Sequence, residues 1–586
     1  MFYMASDNPL AISIVSQLKA LKDAGFHHQV NVIAQFDPFT EGTPTHIFDV
    51  NLINKLRQPF SSNIGFHDTI GLDDTDPFER SLVEDKLWRD EKGEEGEFVR
   101  DVLQKVMKQK HSLEYNPPKA PNLNGSRNNN GNRHYEPDPL TSLQTFLNFC
   151  AQRYPARHYM LFILGHGVVV GNDVFLYDEH AEKNSITLNE MGEALAEFKD
   201  RIQEQGATFE LVGFHSCSVA SMEVAYELKG TANYMMASQG PTFVGSWPYR
   251  QILIRIFNEL EKRGDQPNIS KLLSDIFSYC VNSSADYLLA GYSYQLTLLD
   301  LRKLEKLEAP LEKLSSAFID ALLPDEQTQR NDAPSLFIIL YAHWKAQSFF
   351  NEMYTDLSDF CSCIIERCER IREVNPNSMT ARLEQVYEAC KLVKSVLDKS
   401  KDENGKNLIV KSAIAGPAYQ YSCGLSVFFP WSRPSEDSQI MQQYAGYKIH
   451  QDFHPELNKM FRQETDQEPR KSWLDFLELY FRETQRVTKS TELQWELEAK
   501  RRGRPAFEPK LTIDQMEKKL HEDIGSLIYN GEGPLAGFSL NKSDPTDRTG
   551  IGDCNCPSIK NYPRDTRTRR IRQKRAQPVP FTATVT

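Results

Sequence analysis

The chain has 586 residues, a formal net charge of -12, 40% hydrophobic residues and 11% aromatic residues. This composition is typical of a globular protein rather than a disordered one, and the acidic balance argues against a general nucleic-acid binder. No apolar run approaches the roughly 18 residues that a membrane span needs, and the first residues lack the layout of a secretory signal. We therefore expect a soluble, cytoplasmic protein, with a trimmed secreted form as the alternative.

The first half of the chain alternates strands and helices. Residues 2–5 predict a strand, residues 8–24 predict an amphipathic helix, and residues 30–36 form a short apolar run typical of a buried parallel strand. Residues 73–135 are first charged and then rich in Asn, Pro and Gly, which indicates an insertion. A helix over residues 139–154 then follows an aspartate of the type that caps helix N-termini.

Two further apolar strands end at residues that can take part in catalysis. Residues 158–164 lead into a Gly-His-Gly segment centred on His166, and residues 208–214 lead into a His-Ser-Cys segment that ends at Cys217. A helix is predicted to begin directly after the cysteine, over residues 218–228. The order is therefore strand, histidine, strand, cysteine, helix.

Strand–helix–strand units with right-handed crossovers build a parallel sheet that has helices on both faces. Functional sites in such sheets lie at the carboxyl ends of the strands. We therefore predict an α/β fold with a mostly parallel sheet, in which His166 and Cys217 lie at the same edge.

This pair has the residue types that nucleophilic catalysis requires. Cysteine attacks as the thiolate, and its free pKa of about 8.5 falls beside a helix N-terminus or a protonated histidine. The helix predicted after Cys217 would supply the first condition, and His166 would supply the second while acting as base and acid. Gly167 has no side chain to block a substrate carbonyl, so its backbone amide and that of Cys217 are candidates for an oxyanion hole.

Other interpretations of these residues stay open. A histidine at a strand end or a buried cysteine, taken singly, is more often structural than catalytic. A catalytically silent module that binds partners would keep the fold without the activity. An α/β-hydrolase also carries its nucleophile on a strand-to-helix turn, but here the glycine pattern around Cys217 fails and the candidate histidine precedes the nucleophile instead of following it.

Two segments resemble sequence blocks of the clostripain family of cysteine peptidases. YPARHYMLFILGHG is similar to the family's histidine block, and ELVGFHSCSVASMEVAYEL is similar to its nucleophile block. The resemblance implies a caspase-like fold and an endopeptidase that works through a thioester acyl-enzyme. It implies His166 as general base and acid, Cys217 as nucleophile, and Gly167 with Cys217 as the oxyanion amides. Further similar segments extend it over most of residues 1–490, namely FYMASDNPL, VNVIAQFDP, ASQGPTFVGSWPY, YTDLSDF, CGLSVFFP and SWLDFLELY.

The primary specificity (S1) pocket that the resemblance implies departs from the family pattern. The family has Asp two residues before its cysteine, where it pairs with Arg or Lys at the P1 position of the substrate, but this chain has His215. A second acidic position of the family is also replaced, in the Gly245-Ser246-Trp247 stretch. A desolvated basic side chain requires a carboxylate partner, so we expect a neutral P1 residue or a carboxylate from another loop. The residues predicted to line S1 are His215, Ser238, Gln239, Gly245 and Trp247, with packing under the sheet edge as the alternative for His215.

Family members are often processed by self-cleavage after the catalytic histidine, and some need calcium. Residues 178–187 are polar and contain Lys183, which is therefore the candidate cleavage site of a zymogen. Asp73, Asp74 and Asp76 would supply oxygen ligands to calcium, but they lack the glycine and terminal Glu of a known calcium loop, which favours a solvated acidic segment. The dyad itself requires no cofactor, and no cysteine or histidine spacing predicts a metal site.

The whole chain divides into three predicted regions. These are a catalytic core over residues 1–250, a mostly helical subdomain over residues 251–490 whose strands complete the core, and an extension over residues 491–586. A basic run at residues 560–575 is typical of a disordered, solvated segment, with binding of nucleic acid or an acidic partner as the alternative, and nucleic acid is not expected to bind elsewhere. We expect protein or peptide substrates and no membrane contact, and the sequence predicts no oligomeric state.

Overall fold

A computed structural model of the chain describes residues 1–8, 10–36, 46–50, 113–114, 138–167, 170, 175–178, 181, 183–264, 266–284, 292–323, 333–350, 352–398, 407–416, 418–435, 438–451 and 472–485. Most of the insertion predicted over residues 73–135 and the whole extension after residue 490 lie outside these ranges. So does the basic run at residues 560–575.

The strands of the described chain form two sheets. They are β1 (Phe2–Met4), β2 (Ile33–Phe36), β3 (His46–Asp49), β4 (Leu113–Glu114), β5 (His158–Leu164), β6 (Thr208–His215), β7 (Tyr234–Ala237), β8 (Tyr294–Asp300), β9 (Ser348–Phe349), β10 (Tyr354–Asp356), β11 (Ile409–Ala415) and β12 (Ser426–Phe428). The larger sheet has nine strands in the order β11-β8-β7-β6-β5-β1-β2-β3-β4, and the smaller sheet has the order β12-β10-β9.

The centre of the larger sheet is parallel. β2, β1, β5, β6 and β7 pair in parallel, one after another. β3 and β8 are each antiparallel to both of their neighbours. The outer strands β4 and β11 therefore run in the same direction as the central strands. Seven of the nine described strands therefore share one direction. This confirms the predicted α/β fold with a mostly parallel sheet.

The helices of the described chain flank this sheet and build most of the second half. They are α1 (Ala11–Lys22), α2 (Pro139–Arg153), α3 (Leu188–Glu204), α4 (Met222–Glu227), α5 (Tyr249–Arg263), α6 (Ile269–Ser283), α7 (Glu305–Leu322), α8 (Ala333–Lys345), α9 (Leu357–Val374), α10 (Ala381–Leu397), α11 (Ile440–Ala445), α12 (Lys448–Gln451) and α13, which covers residues 473–485. Short 3₁₀ turns lie at Val244–Ser246, Leu301–Lys303 and Pro376–Ser378. None of the helices in the described ranges combines the length and the apolar character that crossing a bilayer requires.

The larger sheet separates two apolar cores. Side chains of a strand point alternately to opposite faces, and β5 shows the consequence. Leu161 and Ile163 belong to the core that contains residues of α2 and α3, whereas Phe162 and Leu164 belong to the core that contains residues of α1, α5 and α6. Helices therefore cover both faces, as predicted.

The N-termini of two helices that flank the larger sheet are fixed by local sequence signals. The carboxylate of Asp138 accepts hydrogen bonds from the amides of Leu140 and Thr141, both at 3.1 Å, at the start of α2. Thr187 and Glu190 form a capping box at the start of α3. Each side chain in such a box satisfies an amide that the helix leaves without a partner. The predicted helix over residues 139–154 is confirmed by α2.

The second half of the chain is largely helical and also contributes strands. β8 and β11 extend the larger sheet, while the segment CGLSVFFP supplies β12 of the smaller antiparallel sheet. A bridge between Ser221 and Ser426 joins the smaller sheet to the turn that follows β6. The second half therefore packs against the chain segment that carries Cys217, whereas the region boundaries near residues 250 and 490 stay predictions.

Candidate active site

His166 and Cys217 occupy equivalent positions on neighbouring strands. β5 and β6 are parallel neighbours, and their last registered pair is Leu164 with His215. His166 and Cys217 each lie two residues beyond that pair, at the carboxyl ends of the strands. The register therefore brings the two predicted catalytic residues to the same edge of the sheet.

The backbones of Gly167 and Cys217 lie in close contact. A Cβ atom placed on Gly167 would lie 2.6 Å from the backbone nitrogen and 2.8 Å from the carbonyl carbon of Cys217, and it would also overlap the carbonyl oxygen. Among the described residues, no backbone oxygen accepts a hydrogen bond from the amide of Gly167 or of Cys217. Only glycine fits at position 167, and two neighbouring amides remain for a ligand oxygen.

The turn after Cys217 differs from the predicted helix start. α4 begins at Met222 rather than at Ser218, and Ser221 caps it by accepting a hydrogen bond from Val224 at 3.4 Å. Ser218 has a φ of 54°, in the left-handed region. An α-helix cannot start from that conformation. The prediction that a helix begins directly behind Cys217 is therefore wrong.

The thiol of Cys217 is held by Thr242 in this structure. The amide of Thr242 donates to Sγ at 3.3 Å, and Sγ lies 3.6 Å from the carbonyl oxygen of Thr242. Burial raises the pKa of the Cys217 thiol, and the hydrogen bond from Thr242 opposes this in part. No helix N-terminus lies directly behind the sulfur to lower the pKa. The thiol form is therefore favoured in this conformation.

His166 is half-buried, and burial lowers the pKa of its imidazole. The neutral ring, which is the form that acts as a base, is therefore favoured at neutral pH. Its carbonyl oxygen accepts a hydrogen bond from the amide of Leu176 at 3.3 Å, which fixes the backbone after β5. In the part of the chain that the structure describes, no hydrogen bond joins the side chains of His166 and Cys217. The two groups share an edge, but they do not share a proton in this conformation.

His215 is buried beneath the edge of the sheet. Its Nε2 lies 2.8 Å from the carbonyl oxygen of Phe243, and its Nδ1 lies 2.9 Å from the hydroxyl of Tyr249. Burial lowers the pKa of His215 to about 4, so the ring is neutral. Because a carbonyl oxygen only accepts, Nε2 carries the proton and Nδ1 accepts from Tyr249. The ring also stacks on Trp247, with ring centroids 4.9 Å apart.

The remaining residues predicted for S1 lie in two different environments. Gly245 is exposed, whereas the side chains of Ser238, Gln239 and Trp247 are buried. The hydroxyl of Ser238 accepts from the amide of Gly240 at 3.2 Å. These three side chains pack in the interior, and the contribution of residues 238, 239, 245 and 247 to S1 stays a prediction.

Two residues near the nucleophile were not singled out from the sequence. Thr242, which contacts Sγ of Cys217, lies in the quoted ASQGPTFVGSWPY stretch. Tyr419 lies against Gly240, where an added Cβ would be 3.0 Å from the tyrosine ring. Burial raises the pKa of Tyr419 to about 12, and the nearby Cys217 makes a smaller contribution in the same direction. Thr242 could have been found from its stretch, but no sequence signal pointed to Tyr419.

The candidate processing and metal residues are placed as follows. Lys183 is exposed and forms an ion pair with Glu190 in the first turn of α3. Within the described ranges, no group of three or more His, Cys, Asp or Glu side chains is arranged to hold a metal ion. The aspartates 73, 74 and 76, which are the calcium candidates, lie outside the described residues.

Comparison with known proteins identifies the family. The model of the clostripain family matches residues 127–484, which is more than half of the chain. No curated protein is a match for the chain. Among solved structures, the chain is similar to an inactive zymogen C11 protease from Parabacteroides distasonis (15% identity, TM-score 0.39, covering 77% of this chain and 96% of that one). It is also similar to a secreted C11 cysteine protease from Bacteroides thetaiotaomicron in complex with an irreversible peptide inhibitor (12% identity, TM-score 0.40, covering 77% and 97%). On the family match, the chain belongs to the clostripain family of cysteine peptidases.

Proposed function

We propose that this cysteine peptidase is an endopeptidase that uses Cys217 as nucleophile and His166 as general base and acid. The observation that carries the proposal is the register of β5 and β6, in which both residues lie two positions beyond the pair Leu164 and His215. A nucleophile and a base on adjacent parallel strands need only side-chain rotations to meet, because the strands are about 4.8 Å apart. The substrates are proteins or peptides, as the family implies.

The reaction follows from the chemistry of the two side chains. His166 takes the proton of the Cys217 thiol, and the sulfur attacks the carbonyl carbon of the scissile peptide bond. The tetrahedral intermediate expels the amine, which receives the proton from the imidazolium and leaves a thioester. Water then gives a proton to His166 while attacking the thioester, and this step releases the acid and restores the thiol.

The amides of Gly167 and Cys217 are the proposed oxyanion hole. Their backbones touch, and no described backbone oxygen accepts from either amide, so both N–H groups are available to one substrate oxygen. Losing one such donor typically costs about 2.7–4 kcal/mol of transition-state stabilisation. The absence of a side chain at position 167 is therefore a catalytic requirement as well as a steric one.

We further propose that the conformation described here is latent. The sulfur of Cys217 is engaged by Thr242 and is not bonded to His166, and burial raises its pKa. Activation then requires that the Thr242 contact be released and that the imidazole approach the sulfur. Cleavage after Lys183, in the segment between β5 and α3, is the proposed trigger.

The P1 residue of the substrate is proposed to be uncharged. The position that carries the family's S1 acid holds His215, which is neutral, buried and bonded to Phe243 and Tyr249. The side chains that contact this ring in the described structure, those of Ser246, Trp247 and Tyr249, carry no charge either. A basic P1 side chain would therefore lose its hydration without gaining a carboxylate, which is unfavourable.

A peptidyl acyloxymethyl ketone with a neutral P1 residue tests the assignment. After cleavage of the segment around Lys183, the reagent is expected to label Cys217 in the wild-type chain, as located by peptide mass spectrometry, and to leave Cys217→Ala unlabelled. His166→Ala is expected to lower the rate of labelling and of peptide hydrolysis by about 10²–10⁴-fold, the range for loss of a general base. Hydrolysis that persists in Cys217→Ala would refute the proposal.

A catalytically silent interaction module is the second candidate. The contact of Thr242 with the sulfur favours it, because that contact occupies the nucleophile. The two candidates separate when the segment around Lys183 is cleaved by an added protease. A latent peptidase gains hydrolytic activity and electrophile labelling after the cut, whereas a silent module gains neither.

A further inference from the structure

The turn that carries Cys217 is held by carbonyl groups on either side of Gln239. The amide of Ser218 donates to the carbonyl oxygen of Gly240 at 3.0 Å. The amides of Val219 and Ala220 donate to the carbonyl oxygen of Ser238 at 2.9 and 2.8 Å. The position of the nucleophile therefore depends on where the 238–240 segment lies.

Gln239 is anchored in the interior at three points. Its amide donates to the side-chain oxygen of Gln295 on β8 at 2.6 Å, and its side-chain nitrogen donates to Oδ2 of Asp356 at 3.0 Å. Its side-chain oxygen accepts a hydrogen bond from the hydroxyl of Ser422. All four of these residues are fully buried. A buried polar group that loses its partner costs about 1–3 kcal/mol, so these bonds fix Gln239 firmly.

Asp356 also holds the chain segment on the other side of the nucleophile. Its Oδ2 accepts from the amides of Cys423 and Gly424 at 2.7 and 3.3 Å, and its Oδ1 accepts from the amide of Asp359 at the start of α9 at 2.9 Å. Through Ser422, whose amide donates to the carbonyl oxygen of Tyr419 at 3.0 Å, this segment continues to the ring that lies against Gly240.

We infer that Asp356 is a positioning residue for Cys217, because one carboxylate oxygen holds both the 238–240 segment and the 422–424 segment around the nucleophile. Asp356 touches neither the sulfur nor the oxyanion amides, so it acts through Gln239 and the backbone. The inference rests on the proposed role of Cys217 as nucleophile. It makes the aspartate that caps α9, in the second half of the chain, a part of the catalytic architecture.

Asp356→Asn tests this inference, with Asp359→Asn as the matched control. Asp359 is an equally buried carboxylate three residues away, but its side chain accepts from the amide of Gln347 at 2.7 Å, outside the network of Gln239. Asp356→Asn is expected to lower kcat about tenfold to a hundredfold with KM within about twofold, because small displacements of reacting groups cost rate rather than binding. Asp359→Asn, corrected for the fraction folded, is expected to keep the wild-type kcat.

Alkylation of Cys217 by iodoacetamide provides a readout that does not depend on peptidase activity. Loss of the Asp356 bonds is expected to release the sulfur from Thr242 and to raise its alkylation rate several-fold in Asp356→Asn, but not in Asp359→Asn. Equal alkylation rates in the two variants would overturn the inference, whatever their stability. If alkylation differs as expected while wild-type protein hydrolyses no peptide even after processing, the positioning role stands and the proposed function fails.

Gln239→Glu keeps the test decisive if Asp356→Asn does not fold. This change places a second carboxylate 3.0 Å from that of Asp356 and leaves the bonds of Asp356 to residues 423 and 424 in place. We expect the same fall in kcat, and partial recovery in the double variant Gln239→Glu/Asp356→Asn, where an amide again faces a carboxylate. A wild-type kcat in Gln239→Glu would contradict the inference.

Discussion

Gly167 packs so closely on Cys217 that a Cβ atom at position 167 would lie 2.6 Å from the backbone nitrogen of the cysteine. The contact joins the loop after β5 to the turn after β6, and it sets the two proposed oxyanion amides side by side. No side-chain rotation relieves this overlap, because the backbone of residue 167 fixes the position of its Cβ atom and the atoms that it meets belong to the backbone of Cys217.

Gly167→Ala is therefore expected to abolish most peptide hydrolysis. Displacing one oxyanion donor typically costs about 10²–10³-fold in kcat. Gly206→Ala is the control, since Gly206 has a φ of +77° and nothing within 4 Å of an added Cβ. That control should lose about 1–2 kcal/mol of stability through backbone strain and keep the wild-type kcat. Equal loss of activity in both variants would show that general destabilisation, and not the contact with Cys217, is responsible.

The pH dependence of alkylation at Cys217 should report the latent thiol. Burial raises the pKa of this thiol, so the reactive thiolate accumulates only at higher pH than for a free cysteine, whose pKa is about 8.5. The iodoacetamide rate of unprocessed protein is thus expected to keep rising above pH 9. His166→Ala should leave this profile unchanged, because no hydrogen bond joins the two side chains here. A midpoint below pH 8 that vanishes in His166→Ala would mean that the dyad is already formed.

The strands that carry the dyad could be predicted from the sequence because their signals are local. β5 and β6 are continuous apolar runs that end just before His166 and Cys217, and parallel strands in an α/β fold with helices on both faces leave few alternatives for where those ends lie. The capped helices α2 and α3 were predictable for the same reason, since each begins at a side chain that binds its own first turn.

The surroundings of the thiol could not be predicted, since they depend on contacts between distant segments. Thr242 reaches the sulfur from the loop after β7, and Tyr419 comes from a segment more than 200 residues away along the chain. The left-handed φ of Ser218 delays α4 by four residues, and serine is not a residue type that signals that conformation. Asp356 is buried by partners from three segments, so its local sequence gives no hint of its role.

Substrate preference should change when the S1 carboxylate of the family is introduced. His215→Asp places an acid beside Ser246 and Trp247, where the wild-type chain has a neutral ring. A library of fluorogenic peptides that vary at P1 is expected to show a preference for neutral residues in the wild type and a gain of Arg and Lys cleavage in His215→Asp. His215→Asn is the matched control for the loss of the imidazole. Strong Arg or Lys preference in wild type that survives His215→Asn would count against an uncharged P1.

Cleavage after Lys183 predicts a defined pair of fragments. Lys183 is exposed, and its ion pair with Glu190 is a surface contact that contributes little stability. Because P1 is proposed to be uncharged, another protease is expected to make this cut, so intact mass spectrometry should find cleavage after residue 183 in wild-type protein and in Cys217→Ala alike. Lys183→Ala should remain whole, while Lys199→Ala, which changes a lysine on α3, should be cleaved normally. Cleavage of wild-type protein with Cys217→Ala left whole would instead show self-processing with a lysine at P1, and it would contradict an uncharged P1.

Acid should destabilise the fold through buried histidines. Burial lowers the pKa of His215 to about 4 and that of His343 to about 3, against about 6.5 in an unfolded chain. Between pH 6.5 and these values the unfolded state binds more protons than the native state, so the free energy of unfolding falls as the pH falls. At pH 5 each histidine is expected to cost about 2 kcal/mol relative to neutral pH, at about 1.4 kcal/mol per pH unit.

Protonation of Asp356 changes the free energy of unfolding in the opposite direction over part of this pH range. Burial, with the nearby Asp359, raises its pKa to about 6, so the native state holds a proton that the unfolded state has lost between about pH 4 and 6. This carboxyl therefore makes the fold more stable as the pH falls below 6, and it offsets part of the loss from one histidine. Urea unfolding at pH 7 and pH 5 separates the two effects: His215→Asn and His343→Phe should each shrink the stability difference by about 2 kcal/mol, whereas Asp356→Asn should enlarge it. A difference that no histidine variant changes would mean that the two rings are protonated in the native state, and the bonds from His215 to Phe243 and Tyr249 would then have to rearrange.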